Sequence, residues 1–219
     1  MKKQNENPIN LLKKNLEESI NAKFALLNNT EFLSIFGNAV EMVVSRYKQG
    51  GRLYIAGNGG SAADAQHLAA EFVSKLARDR DPLPAEALTV DTSILTAIGN
   101  DYGFDLIFSR QLLGKATKKD VFLGITTSGC SPNIIKALYA CREIGIPSII
   151  FCGRDGGMVK ELTDFCIIAP GMATSTIQEL HIVLAHSLCE SVELALFDPW
   201  TPTTPAKMTE MFQLEVEEI

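Results

Sequence analysis

His67 and Glu71 stand four residues apart, so in a helix an imidazole and a carboxylate share one face. Such a pair can move a proton or hold a metal; its bland counterpart is a polar helix edge closed by an i,i+4 hydrogen bond. The chain has three histidines, and the other two, His181 and His186, follow Gln178 and Glu179 in one apolar, helix-like segment. A site drawn from both segments is the expectation. His and Glu are ordinary zinc ligands and Gln is a rarer one, so a set that includes Gln describes an exchangeable site, not a closed structural one. On a straight helix Gln178 and His186 are separated by a rise of about 12 Å. Either long side chains bridge that gap or the two come from different subunits.

Two strand-to-helix turns supply a second kind of chemistry. Gly57-Asn58-Gly59-Gly60-Ser61 follows the apolar run Leu53-Tyr54-Ile55-Ala56, and Thr126-Thr127-Ser128-Gly129-Cys130-Ser131 follows Val121-Phe122-Leu123-Gly124-Ile125. At a helix start, free backbone N–H groups, the positive helix end and small hydroxyl side chains can converge on an anion. Any one serine could serve only as a helix cap. The hydroxyls of Thr126, Thr127, Ser128 and Ser131 in one turn exceed what capping needs, and they point to a phosphorylated ligand.

The elements that must position these groups follow from hydrophobic periodicity. Leu12, Leu16, Ile20, Phe24 and Leu27, then Phe36, Val40, Val43 and Tyr47, mark two amphipathic N-terminal helices. Apolar strands are predicted near 52–56, 86–90, 121–125, 147–152 and 165–169, separated by helical or turn-rich stretches. This rhythm predicts an α/β fold, a doubly wound five-stranded parallel sheet with N-terminal helices in front and a long helix over about 176–196 behind. That last helix carries one stripe at Ile177, Leu180, Leu184 and Leu188 and a second at Ile182, Ala185 and Cys189. One sheet face cannot cover both stripes and the N-terminal helices also need a surface, so helix packing between subunits is expected, with the N-terminal helices and the long C-terminal helix forming an oligomer core. The division is thus an N-terminal helical segment over 1–50, an α/β domain over 51–197 and a Pro-containing extension over 198–219. The extension is either loosely attached or seats Trp200 and Phe212 on a neighbouring subunit.

Composition narrows the function classes. With 219 residues, 46% hydrophobic and 21% charged, the chain suits one well-buried domain. A formal net charge of -6 argues against a nucleic-acid surface. The opening residues lack the apolar stretch of a signal peptide, and a cytoplasmic protein without a membrane span is expected. Five cysteines with no C-x-x-C pair indicate neither a disulfide framework nor a cysteine zinc site. Gly57-x-Gly59-x-x-Ala62 loosely fits a dinucleotide fingerprint, with Asp91 as the ribose-binding acid, but Asp91 lies too far along and a dinucleotide leaves the second turn unexplained.

The run from Gly57 to His67, together with Ala69-Ala70-Glu71, Ile98-Gly99-Asn100-Asp101-Tyr102-Gly103-Phe104, Thr127-Ser128-Gly129 and Ile177-Gln178-Glu179-Leu180-His181-Ile182, resembles the phosphoheptose isomerases of the sugar isomerase (SIS) domain superfamily. The resemblance covers about 11–197. It implies a flavodoxin-like SIS fold and a cytoplasmic homotetramer that interconverts sedoheptulose 7-phosphate and D-glycero-D-manno-heptose 7-phosphate, feeding lipopolysaccharide or related glycan biosynthesis. It further implies zinc at His67, Glu71, Gln178 and His186, with Glu71 as base and His186 as acid. Sugar-phosphate contacts would come from Asn58, Gly59, Gly60, Ser61, Glu71, Asn100, Asp101, Thr126, Thr127, Ser128, Ser131 and Gln178.

The chain departs from the usual pattern at Lys75, where Arg is common, at Cys130, where Asn is usual, and at Ser175-Thr176, where an Arg-containing pair precedes the Ile-Gln-Glu motif. Lys keeps the charge but loses the planar fork. Sugar chain length and stereochemistry therefore stay open, and a related ketose phosphate such as an octulose phosphate is an alternative. A non-catalytic SIS module that binds a sugar phosphate or a replication-initiator protein is the other, and the presence of Glu71 and His186 weighs against it.

Overall fold

The computed structural model describes residues 7–197; the segment 198–219, with Trp200 and Phe212, lies outside the described residues. Helices α1 (Pro8–Leu27) and α2 (Thr30–Lys48) lead into β1 (Leu53–Gly57) and α3 (Gly60–Val73). Then come β2 (Ala85–Ala87), α4 (Thr92–Asp101), α5 (Ser109–Lys115), β3 (Val121–Thr126), α6 (Pro132–Ile144), β4 (Ser148–Gly153), β5 (Phe165–Ala169) and α7 (Thr174–Phe197). Local chemistry fixes the helix starts. The Asn7 side chain accepts from the Ile9 N–H ahead of α1, Asn29 does the same for Phe32 at α2, and Pro132 opens α6.

All four strand pairings are parallel, in the order β2-β1-β3-β4-β5. Alternation along the strands splits the core. Leu53, Ile55, Leu123, Ile125, Ile149, Phe151 and Ile167 pack under α2, α3 and α7, while Tyr54, Ala56, Phe122, Ile150 and Cys152 pack against α5 and α6. Burial on both faces is why these strands read as continuous apolar runs instead of alternating ones.

The structure refines the periodicity reading in three places. Strand β2 is three residues long and ends at Ala87, well short of 90. Leu88 still donates to the Ile55 carbonyl, but the chain then turns so that Asp91 can cap α4 by accepting from the Ile94 N–H. The carboxylate considered for ribose binding is therefore a helix cap.

The second difference concerns α7. Its own chain already buries Ala185 and Cys189 of the second stripe as well as Ile177, Leu180, Leu184 and Leu188, because α1, α2 and α3 all pack along it together with β4 and β5. By length and composition α7 is apolar enough to cross a membrane, yet that apolarity is spent within the fold. The third difference is complementary. On α1 the stripe Leu12, Leu16, Ile20, Phe24 and Leu27 faces outward, every member more than 50% exposed, while Ser19 and Ala22 face the domain.

His181 belongs to this core and not to the site. It is fully buried, and its Nε2 donates to the Cys152 carbonyl at 3.0 Å, which fixes the neutral tautomer with Nδ1 left as a buried acceptor. Burial, opposed by that carbonyl, holds its pKa below the ordinary imidazole value. The folded state thus prefers the neutral ring, so this contribution is fully present above a pH of about 6.5 and is lost as pH falls through the lower folded value. Melting temperatures measured at pH 7.5 and 5.5 should fall further for the parent chain than for His181→Gln, which keeps a donor without a titrating group. Equal falls would contradict it.

Candidate active site

The two anion turns open side by side. Strands β1 and β3 are neighbours whose register runs to Gly57↔Ile125, and their following helices, α3 and α6, lie on opposite sheet faces. A crevice at the carboxyl ends of such a pair is the usual ligand position in doubly wound sheets. One residue pair joins the turns: Asn58 donates to Asn133 at 2.9 Å, and Asn133 donates back to Asn58 at 2.8 Å. Asn133 is 2% exposed, so this bridge is rigid, and Asn58 keeps one N–H and one lone pair for a ligand. Asn133 was missed in the sequence, where it reads only as a polar residue in the first turn of α6.

The hydroxyl-rich turn is not a set of caps. Ser131 occupies the N-cap position of α6 but makes no capping bond; its hydroxyl pairs instead with the Thr126 hydroxyl at 2.9 Å. Ser128 accepts from the Cys130 N–H at 3.2 Å, Thr127 is half-buried, and Cys130 is exposed at the tip. Gly129 has φ +65°, and a Cβ there would lie 2.1 Å from the Gly156 carbonyl oxygen, so only glycine lets the turn close. At the other turn Gly59, φ +56°, precedes α3 without a side-chain cap, and Ser61 is buried just inside the helix. The start of α3 therefore presents backbone dipoles unmasked by any side chain.

His67 and Glu71 face α7 from α3, and His186 meets them there. Nε2 of His67 lies 2.8 Å from Nε2 of His186 and 3.5 Å from a Glu71 carboxylate oxygen, and donor atoms from all three lie within 4.8 Å of one another. The cluster opens to solvent on the His67 side, while the Glu71 side chain is only 20% exposed. One turn ahead of His67, Asp64 has a buried carboxylate oxygen with no partner; desolvation raises its pKa and the His67 charge opposes that rise.

Gln178 is not part of this cluster within one chain. Its amide packs against Gly60, where a Cβ would come within 2.6 Å of Nε2. Helices α3 and α7 thus run in the same direction, from a Gly60–Gln178 contact at one end to a His67–His186 contact further along, a rise of roughly 10 to 12 Å. Gln178 faces the glycine turn. Asn100 and Asp101 end α4 and are exposed, with the Asn100 amide donating to Asp101 at 2.8 Å. Of the other polar residues singled out in the sequence, Glu179 is turned away, held by Ser19 and Lys23 of α1. Lys75 pairs with Asp79 at 3.3 Å on the surface, and Thr176 is buried at the start of α7.

A SIS domain spans residues 15–153 of the chain. Phosphoheptose isomerase of Aneurinibacillus thermoaerophilus is 50% identical over 186 residues, which cover 85% of this chain and 94% of the relative. The chain belongs to the phosphoheptose isomerase family. A second relative, phosphoheptose isomerase 2 of Campylobacter jejuni, is 47% identical over 88% of this chain and 96% of its own. Among solved structures, phosphoheptose isomerase from Neisseria gonorrhoeae matches with a TM-score of 0.78 at 40% identity, covering 83% of this chain and 96% of that one. The Francisella tularensis phosphoheptose isomerase matches with a TM-score of 0.81 at 32% identity over 85% and 98%.

Proposed function

We propose that this chain interconverts sedoheptulose 7-phosphate and D-glycero-D-manno-heptose 7-phosphate through an enediol. The observation that carries the reading is the meeting of Glu71 with His67 and His186 on the α3–α7 seam, in a chain half identical to a named phosphoheptose isomerase. The phosphate end is gripped by the two turns, through Asn58, Gly59, Gly60, Thr126, Thr127, Ser128 and Ser131. Ser61 supports the first turn from beneath, and Gln178, Asn100 and Asp101 take sugar hydroxyls.

Aldose–ketose exchange moves one hydrogen between adjacent carbons and one between their oxygens. Starting from the ketose, Glu71 takes a proton from C1, leaving a cis-enediol, and returns it to C2 on the same face. His186 carries the hydroxyl proton from O1 to the oxygen at C2, so the product carbonyl forms at C1 and no proton is gained or lost overall. A partly buried Glu71 is shielded from water as a base should be, and a half-buried His186 can exchange protons with the ligand.

The donor set also fits zinc. Two ring nitrogens 2.8 Å apart with a carboxylate beside them offer the N and O ligands this ion takes, one ligand short of a tetrahedron. His67, Glu71 and His186 would hold it, with Gln178 as a fourth ligand only if its side chain comes from a second subunit or swings from Gly60. Bound zinc supplies a Lewis acid for the sugar carbonyl. The outward apolar stripe of α1 suits burial against another copy, and we assign the working form as a cytoplasmic homotetramer supplying heptose for lipopolysaccharide or a related glycan.

Cys130, exposed at the tip of the second turn, favours one second reading: a ketose phosphate of different length, such as an octulose phosphate, is the preferred substrate. Incubating the purified chain with each ketose phosphate and identifying the products separates the two. Heptose 7-phosphate formed faster from sedoheptulose 7-phosphate supports the main reading; faster conversion of the octulose ester supports the second, and turnover of neither removes both.

A further inference from the structure

Glu71 lies in the last turn of α3, where helix carbonyls have no partner within the helix and a backbone tends to fray. In this chain two of those carbonyls, those of Glu71 and Phe72, are taken by one side chain. Arg80, in the connection between α3 and β2, donates through Nη2 to the Glu71 carbonyl at 3.0 Å and through Nη1 to the Phe72 carbonyl at 2.8 Å and the Asp81 carbonyl at 3.0 Å. Its Nε and Nη2 reach a Glu193 carboxylate oxygen at 2.8 and 2.6 Å. The five N–H groups of a guanidinium are thereby all engaged.

Glu193 sits on α7, two turns beyond His186, and also accepts from the Leu76 and Ala77 N–H groups at 3.1 and 3.2 Å. Both charged side chains are 1% exposed. Burial alone would raise the pKa of Glu193, but the two amides and Arg80 hold it below the usual carboxylate value, so the pair is ionised. A buried pair of this kind is often no more stabilising than apolar packing would be, which leaves its geometry as the property to explain.

We propose that Arg80 and Glu193 form a positioning clamp that sets the separation of the Glu71 carboxylate from the His186 imidazole. One guanidinium holds the backbone of the residue that bears the base and, through a single carboxylate, the helix that bears the acid. Neither residue touches the ligand crevice. The clamp rests on the isomerase reading for its effect on turnover. Misplacing a reacting group by about 1 Å can lower a rate roughly 100-fold, whereas the phosphate grip lies at the opposite end of α3.

Arg80→Lys keeps a cation for Glu193 but offers three donors on a flexible stem and cannot reproduce the fork. It tests the clamp without leaving a buried carboxylate uncompensated; Arg80→Met removes the clamp and serves as the stronger variant if it folds. Leu138→Ala, in the core on the opposite sheet face, is the control for general destabilisation. Expected for Arg80→Lys is a fall in kcat of about 10- to 100-fold with KM within about twofold, while Leu138→Ala lowers the melting temperature and leaves kcat per folded molecule unchanged. A parental kcat in Arg80→Lys, or a loss that merely follows the folded fraction as in Leu138→Ala, overturns the clamp. If the parent chain turns over no sugar phosphate, the isomerase reading fails by itself. Zinc affinity without sugar then decides the clamp, with roughly tenfold weaker binding by Arg80→Lys expected and equal affinity overturning it.

Discussion

Glu71→Gln should lower kcat for sedoheptulose 7-phosphate by roughly 10²- to 10⁴-fold, the range over which a positioned general base contributes. The amide has nearly the shape of the carboxylate and cannot accept the carbon-bound proton. In the proposed reading the substrate's phosphate is held by the turns after β1 and β3, about three helical turns from residue 71, so KM should stay within a few-fold. That split separates loss of the base from loss of the fold, since Glu71 is joined to Arg80 through its carbonyl and not its side chain. Steady-state kinetics on folded variant protein checks it, and a Glu71→Gln enzyme with parental kcat would remove the base from this residue.

His186→Gln should lower kcat by about 10²-fold or more and weaken zinc binding at the same time, because in the proposed mechanism one imidazole both shuttles the oxygen proton and belongs to the three-residue cluster. The telling comparison is His181→Gln, five residues earlier on the same helix. The His181 ring is committed to the Cys152 carbonyl inside the core, so its loss should change stability with pH and leave turnover intact. Kinetics and zinc titration on both variants read the contrast. Equal loss of activity in the two would show that α7 acts only as a structural support.

Much of this arrangement is legible in the sequence, for reasons that differ by element. The strand rhythm and the two glycine- and hydroxyl-containing turns are local signals, set by apolar runs and by residues that only fit where a helix starts, and the five parallel strands follow from them. The pairing of His67 with Glu71 is local as well. The meeting with His186 is not, and only the resemblance of the motifs chose it over His181. Periodicity offers both histidines equally, and burial against Cys152 decides between them.

What stayed hidden depends on packing between distant segments. Asn133 and Arg80 read as unremarkable polar residues, yet each finds its partners across long gaps of chain, Asn58 for one and Glu193 for the other. The stripe on α1 was readable as apolar, but which way it faces follows from contacts across the chain, Ala22 packing with Ile177 and Leu180 of α7 while Ser19 and Lys23 bind Glu179. Those contacts leave the apolar stripe of α1 exposed, while α7 buries most of its own.

The account's central claim, proton transfer by a carboxylate through an enediol, is tested most directly by running the isomerisation of sedoheptulose 7-phosphate in D₂O and following the sugar by NMR. A base that exchanges with solvent predicts deuterium at C2 of the heptose 7-phosphate formed and at C1 of recovered ketose, with both signals lost in Glu71→Gln. A parental product without deuterium means only that the carboxylate returns its proton before exchange, whereas deuterium entering C2 at the parental rate in Glu71→Gln would mean that Glu71 is not the base.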